Sequence, residues 1–192
     1  MIKNKKLLYA AFGILILVQL AIPFQMIRSN NDILENGKTF KFKCIPFDPY
    51  DAFRGKYIDL SFDINTAYSD KKIDVSKDVY AVLENDKDGF VKVKRITTSI
   101  PPEPNSYLKV KASSQYEYNG KTQVSIELPF NRFYMNEYKA PIAEKVYNAI
   151  SRDQTKNIYA EIAIKDGQGV IKDVIIDSIP IKDYIKKSSL KF

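Results

Sequence analysis

The residues best suited to chemistry crowd into one stretch, Ile45 to Phe62, which reads IPFDPYDAFRGKYIDLSF. Asp48-Pro49 and Asp51 are turn and cap formers. Gly55 permits a tight entry into the strand that follows. Arg54 can clamp a neighbouring carboxylate through two parallel hydrogen bonds. This combination makes either a rigid β-corner or a polar site for a ligand or partner. Other chemistries have thinner support. Pairs drawn from Asp48, Asp51, Glu137 and Glu144 could act as glycosidase acid and base, but any acidic surface offers such pairs. Ser61 with a lysine would make a dyad, yet Ser61 lies mid-strand between Asp59 and Asp63. Asn85–Gly89 hints at a calcium loop but lacks the closing glutamate, and it reads as a hairpin turn.

Composition removes whole classes of enzyme. The chain of 192 residues has no histidine, no tryptophan and a single cysteine, Cys44. That excludes a Ser-His-Asp triad, a Cys-His dyad and a histidine metal site. One cysteine makes neither an internal disulfide nor an iron–sulfur site. Cys44 reads as a small buried hydrophobe. No P-loop, GxSxG or GxGxxG is present, and nothing implies a cofactor or a metal. The net charge of +7 includes Lys3, Lys5 and Lys6 at the extreme N-terminus. Elsewhere the signs are interspersed, as in Lys71, Lys72, Asp74, Lys77 and Asp78. A nucleic-acid groove needs clustered cations with interleaved aromatics, so no nucleic-acid partner is expected.

Residues 7–27 (LLYAAFGILILVQLAIPFQMI) carry no formal charge. As a helix they span about 30 Å, the thickness of a bilayer's hydrocarbon core. Three lysines precede this segment and Arg28 alone closely follows it. The positive-inside rule then puts the N-terminus in the cytoplasm. A cleaved signal peptide would begin the same way, but cutting after Ala21 would put Gln19 where a small residue belongs. The segment therefore reads as an uncleaved anchor in the inner membrane.

The elements that must position the acidic loop are strands. Ile58, Leu60, Phe62 and Ile64 alternate with polar residues, as do Phe40, Phe42 and Cys44. Similar patterns cover Asp78–Glu84, Phe90–Thr97, Tyr107–Ala112, Gln115–Leu128, Ile158–Ile164 and Val170–Ile176. That makes eight or nine strands. Asn36-Gly37, Asp88-Gly89, Asn119-Gly120 and Asp166-Gly167 are hairpin-turn pairs. One outer segment reads as helix, from Pro141 to about Arg152, with Ile142, Val146, Ala149 and Ile150 at helical spacing. The tail after Pro180 reads as a frayed edge. The chain has 13 tyrosines. Those at 107, 116, 118, 134, 138 and 147 suit cross-strand pairing or a docking face.

The stretch from Pro46 to Phe62 resembles the GDYXXLXY family, bacterial proteins named for that motif and without an established biochemical activity. The match is Gly55-Lys56-Tyr57-Ile58-Asp59-Leu60-Ser61-Phe62, after a lead containing Pro46, Asp48, Pro49, Asp51 and Arg54. Lys56 stands where the family has aspartate, and Phe62 where it has the final tyrosine. Lys56 argues against a catalytic or metal role for that acid. Asn131 to Tyr138, followed by Glu144, is similar to the family's E-R-Y-F-V-P-E-G segment and keeps Arg132 and Glu137. Tyr159 to Asp177 has the look of the family's closing hairpin. The resemblance covers roughly residues 38–178. Members are encoded beside polytopic membrane proteins, so it implies a membrane-protein partner.

These readings predict a mostly β chain: an antiparallel sandwich or barrel-like domain with one short helix, preceded by one N-terminal transmembrane helix. Residues 1–6 form a cytoplasmic leader, 7–27 the span, and 28–192 the domain outside the cytoplasm. The expected function is a non-enzymatic binding module, accessory to a polytopic membrane protein. Its candidate residues are Asp48, Asp51, Arg54, Gly55, Tyr57, Leu60, Arg132, Tyr134 and Glu137. The alternative is an envelope hydrolase using paired carboxylates or a Ser–Lys dyad.

Overall fold

Helix α1 runs from Lys5 to Asn36 and contains Pro23. The computed structural model describes residues 5–46, 57–69, 72–75, 78–118, 121–151 and 156–189. The apolar side chains of α1 from Leu7 to Ile27 are largely exposed, and the helix is long and apolar enough to cross a membrane. It continues past Ile27, and its last turns dock on the domain. Ile33 is buried. The Asp32 carboxylate lies 2.7 Å from Lys165 Nζ. Asn36 Nδ2 also donates to Asp32. The Gly37 amide donates to the Ile33 carbonyl at 2.8 Å, and the first strand starts at the next residue. Asn36-Gly37 is therefore a helix-to-strand junction and not a hairpin turn, because Ile33 and Asp32 have partners that keep the helix going.

The strands are β1 (Lys38–Ile45), β2 (Tyr57–Asp59), β3 (Ser61–Phe62), β4 (Thr66–Ser69), β5 (Asp78–Asn85), β6 (Val91–Thr97), β7 (Tyr107–Tyr118), β8 (Lys121–Glu127) and β9 (Arg132–Tyr134). Helix α2 (Ala140–Ser151) follows. Then come β10 (Ile158–Lys165), β11 (Gln168–Ile176), β12 (Ile179–Pro180) and helix α3 (Ile181–Ser189). One antiparallel sheet has the order β12-β11-β10-β1-β3, a second β4-β8-β7-β5-β6, and β2 pairs with β9 alone. Bridges Lys41↔Phe90 and Leu108↔Gly167 link the two larger sheets, giving a nearly closed, barrel-like wall around one apolar core. The fold is mostly β and antiparallel, as the alternation predicts.

The core follows the period-two pattern. Phe40, Phe42 and Cys44 point inward from β1, and Ile58, Leu60, Phe62 and Ile64 are all buried. Phe42, Phe62 and Phe130 form an edge-to-face trio with ring centroids 5.5–5.9 Å apart, a geometry that favours aromatic packing. Asp166-Gly167 makes the β10–β11 turn with both φ positive, at 50° and 79°, as a type I′ turn requires. Asn119-Gly120 lies outside the described residues.

Several details depart from the sequence reading. The described residues form twelve strands, because short pairings such as β12 carry too few residues to show a period. Tyr107–Tyr118 is a single strand, which absorbs Ser113 as a bulge against β8. In α2 the buried stripe is Ala140, Ala143 and Tyr147, while Ile142 is exposed. The tail after Pro180 is helix α3, whose Ile181 and Ile185 are buried one turn apart. Its lysines hide that stripe in the sequence.

Candidate functional site

The motif strand does not run straight. Tyr57–Asp59 pairs with β9, whereas Ser61–Phe62 pairs with β1 at Cys44 and Ile45. Leu60 is the hinge between the two pairings. Its side chain is buried, and its amide donates to the Asn131 carbonyl at 2.7 Å.

The two stretches that carry the candidate residues are thereby joined. Tyr57 sits opposite Tyr134, Ile58 opposite Phe133, and Asp59 opposite Arg132. The rings of Tyr57 and Tyr134 lie 5.6 Å apart. The Arg132 guanidinium stacks 4.8 Å over the Tyr57 ring, and its Nε lies 3.7 Å from Asp59 Oδ1. A hydrogen bond to the Tyr134 side chain, then the nearness of Tyr57 and Asp59, hold Arg132 even more firmly protonated than an ordinary arginine. Asp59 is nearly buried, and Arg132 is half exposed. Tyr134 is 65% exposed and Tyr138 80%. The result is a cation clamped on one side, ringed by tyrosines, with much of its surface open. Tyrosine and arginine are the residues most enriched where protein surfaces meet.

Of the nine candidate residues, the structure brings together Tyr57, Leu60, Arg132 and Tyr134. Glu137 lies beyond them in the exposed turn that leads into α2. Asp48, Asp51, Arg54 and Gly55 lie outside the described residues, as does the Arg54 clamp. Glu144, offered for acid–base work, sits half-buried on α2. In the Asn85–Gly89 turn one Asp86 carboxylate oxygen accepts the amides of Asp88 and Phe90, which makes it a turn device.

A model of the GDYXXLXY protein family matches residues 19–174. The chain belongs to this family. No match is found among curated proteins or among solved structures. The family match takes in the α1 exit, the motif strand, β9 and most of the closing hairpin. The geometry around Arg132 thus lies wholly inside the family region.

Sequence reasoning missed two features of this GDYXXLXY chain. One is a cleft of about 440 Å³ beside β9, lined by Asn30 of α1, Phe130, Asn131, Arg132, Tyr134 and Ile171. Gly169 also lines it, and any side chain there would run into the Phe130 ring. The other is the pair Cys44 and Tyr147. The Tyr147 hydroxyl donates to the Ile45 carbonyl at 3.1 Å, and the Cys44 thiol packs beside it. Burial, only partly offset by a hydrogen bond with Tyr147, pushes the Cys44 thiol up to about 12. A thiol reagent needs the thiolate. At about pH 8 the folded protein is expected to resist labelling over hours and to react at once in denaturing urea. Rapid labelling of the native chain would show that this pocket opens.

Proposed function

We propose that this chain is a single-span membrane protein whose outer domain binds another membrane protein through the Tyr57–Arg132–Tyr134 face. The juxtaposition of β2 and β9 carries the reading. Two stretches far apart in sequence meet to present an exposed arginine and an exposed tyrosine, Arg132 and Tyr134, backed by the half-buried Tyr57, on a domain joined to a membrane-length helix. Lys3, Lys5 and Lys6, ahead of the apolar segment 7–27, support an orientation with the N-terminus in the cytoplasm. The half-exposed arginine stacked on a tyrosine suits a contact surface better than a reaction centre, since Asp59 already neutralises part of its charge.

In-cell crosslinking followed by purification in mild detergent tests this. A stoichiometric polytopic membrane protein should accompany the intact chain. Arg132→Ala together with Tyr134→Ala should cut its recovery by ~30-fold or more, the effect of losing interface anchors. The variant must first show native circular dichroism. Equal recovery with the variant, or no stoichiometric partner in either sample, overturns the reading.

A further inference from the structure

The cleft beside β9 has a fixed height above the apolar part of α1. Asn30 lines it together with Arg132. Asn30 is three residues beyond Ile27, about 4.5 Å along a helix. If residues 7–27 fill the hydrocarbon core, the cleft opens at the level of the phospholipid headgroups. This inference rests on the membrane-spanning part of the proposed function and does not require the protein partner.

The lining matches that position. Asn30, Asn131 and Arg132 offer nitrogen donors to the cleft, and Phe130, Val170 and Ile171 add apolar lining. A lining of both kinds suits an amphiphile. The volume, about 440 Å³, falls within the ~300–1,000 Å³ of ordinary ligand sites. Arg132 presents Nε toward Asp59 and one face to Tyr57, and it keeps half its surface exposed. Guanidinium is the side chain best shaped for two-pronged phosphate contact. Exposed Tyr134 and Tyr138 are of the type that gathers at membrane interfaces.

We infer that this cleft holds the phosphodiester headgroup of one phospholipid from the surrounding leaflet, with Arg132 as its phosphate ligand and the apolar Val170–Ile171 lining against the glycerol. Because Asp59 offsets the arginine's charge, recognition rests on hydrogen bonding to phosphate and not on an excess of anionic lipid. A bound headgroup would fix the tilt of the domain and turn the tyrosines sideways, toward a neighbour in the same membrane.

The full chain in phosphatidylcholine vesicles, without any partner, tests this. Tyr134→Cys carrying an environment-sensitive fluorophore should be quenched by headgroup-spin-labelled lipid to the same degree as Asn30→Cys. The buried Cys44 leaves each label unique. Native mass spectrometry after gentle detergent release should find one retained phospholipid. Arg132→Ala should lower that retention about tenfold. Arg132→Lys should restore part of it, and Arg95→Ala, on an exposed pair with Glu103, should change nothing. Inorganic phosphate added to lipid-free protein should not bind measurably. An unquenched label at residue 134, lipid retention unaffected by Arg132→Ala, or tight binding of inorganic phosphate would each overturn the assignment, the last by making this a free-phosphate site. If Arg132→Ala lowers partner recovery relative to the native chain but leaves lipid retention unchanged, the proposed function stands and this inference alone falls.

Discussion

Tyr147→Ala will destabilise the domain by about 3–5 kcal/mol, the usual cost of removing a buried aromatic. Tyr147 is fully buried in the core, on the inner stripe of α2. Its ring fills the space where β1 passes its pairing from β10 to β3, near Cys44 and Ile45. No small residue can refill a hole of that size, since the surrounding strands are held in register. The hydroxyl has a separate role. It satisfies the Ile45 carbonyl, so Tyr147→Phe should cost about 1–3 kcal/mol by leaving that acceptor without its partner. Burial raises the Tyr147 hydroxyl above its ordinary range, so it remains a donor at any working pH. Urea unfolding of the full chain in detergent, followed by circular dichroism, measures both variants. A phenylalanine variant as stable as the native chain would mean that water reaches Ile45. An alanine variant within 1 kcal/mol of the native chain would mean, since about 3 is the lower bound for such truncations, that α2 is not part of the cooperative core.

The same residue shows what the sequence revealed and what it hid. Alternation along Lys38–Ile45 and Tyr57–Ile64 is a local signal, and both stretches bury the predicted face. Tyr147 gives no such signal. A tyrosine on a helix reads equally as surface or core until its hydroxyl finds an acceptor, and that acceptor, Ile45, lies 102 residues away. The pairing of Tyr57 with Tyr134 is hidden for the same reason. Each short strand has too few residues to announce a partner, and only the closing of the sheets selects one. Taking both stretches as one centre requires them to meet in space, but does not say which residues pair. Helix α3 was obscured because its lysines outweigh two buried isoleucines in any average. Asn36-Gly37 misled in the other direction. The dipeptide is a strong hairpin signal by type, and the ion pair that overrides it joins Asp32 to a residue on β10.

That junction sets the second large effect. Gly37→Val should detach the end of α1 from the domain. A Cβ on Gly37 would sit 2.4 Å from the Ile33 carbonyl oxygen, and 3.0 Å from that of Ile164. Both are backbone atoms held by hydrogen bonding, so neither can swing aside as a side chain would. Relief must come from unwinding the last turn of the helix or from moving β1 off β10. Overpacking of this kind costs about 1–3 kcal/mol, and unwinding adds loss of Ile33 burial, about 1.5–3 kcal/mol for a fully buried side chain. The Asp32–Lys165 pair would go with it. That pair holds the Asp32 carboxyl below its ordinary range, mainly through the Lys165 hydrogen bond. Its contribution is present at neutral pH and fades only as pH falls through the lowered value. Spin labels at Arg28→Cys and Asp173→Cys, read by pulsed dipolar spectroscopy in vesicles at neutral pH, report the junction directly. The native chain should give one narrow distance distribution, and Gly37→Val a broad one. A narrow distribution in both would show that helix and domain are held together by something other than the close approach at Gly37. A broad distribution in the native chain would show that the membrane helix does not steer the domain at all, and the fixed height of the Arg132 cleft above the bilayer would be lost with it.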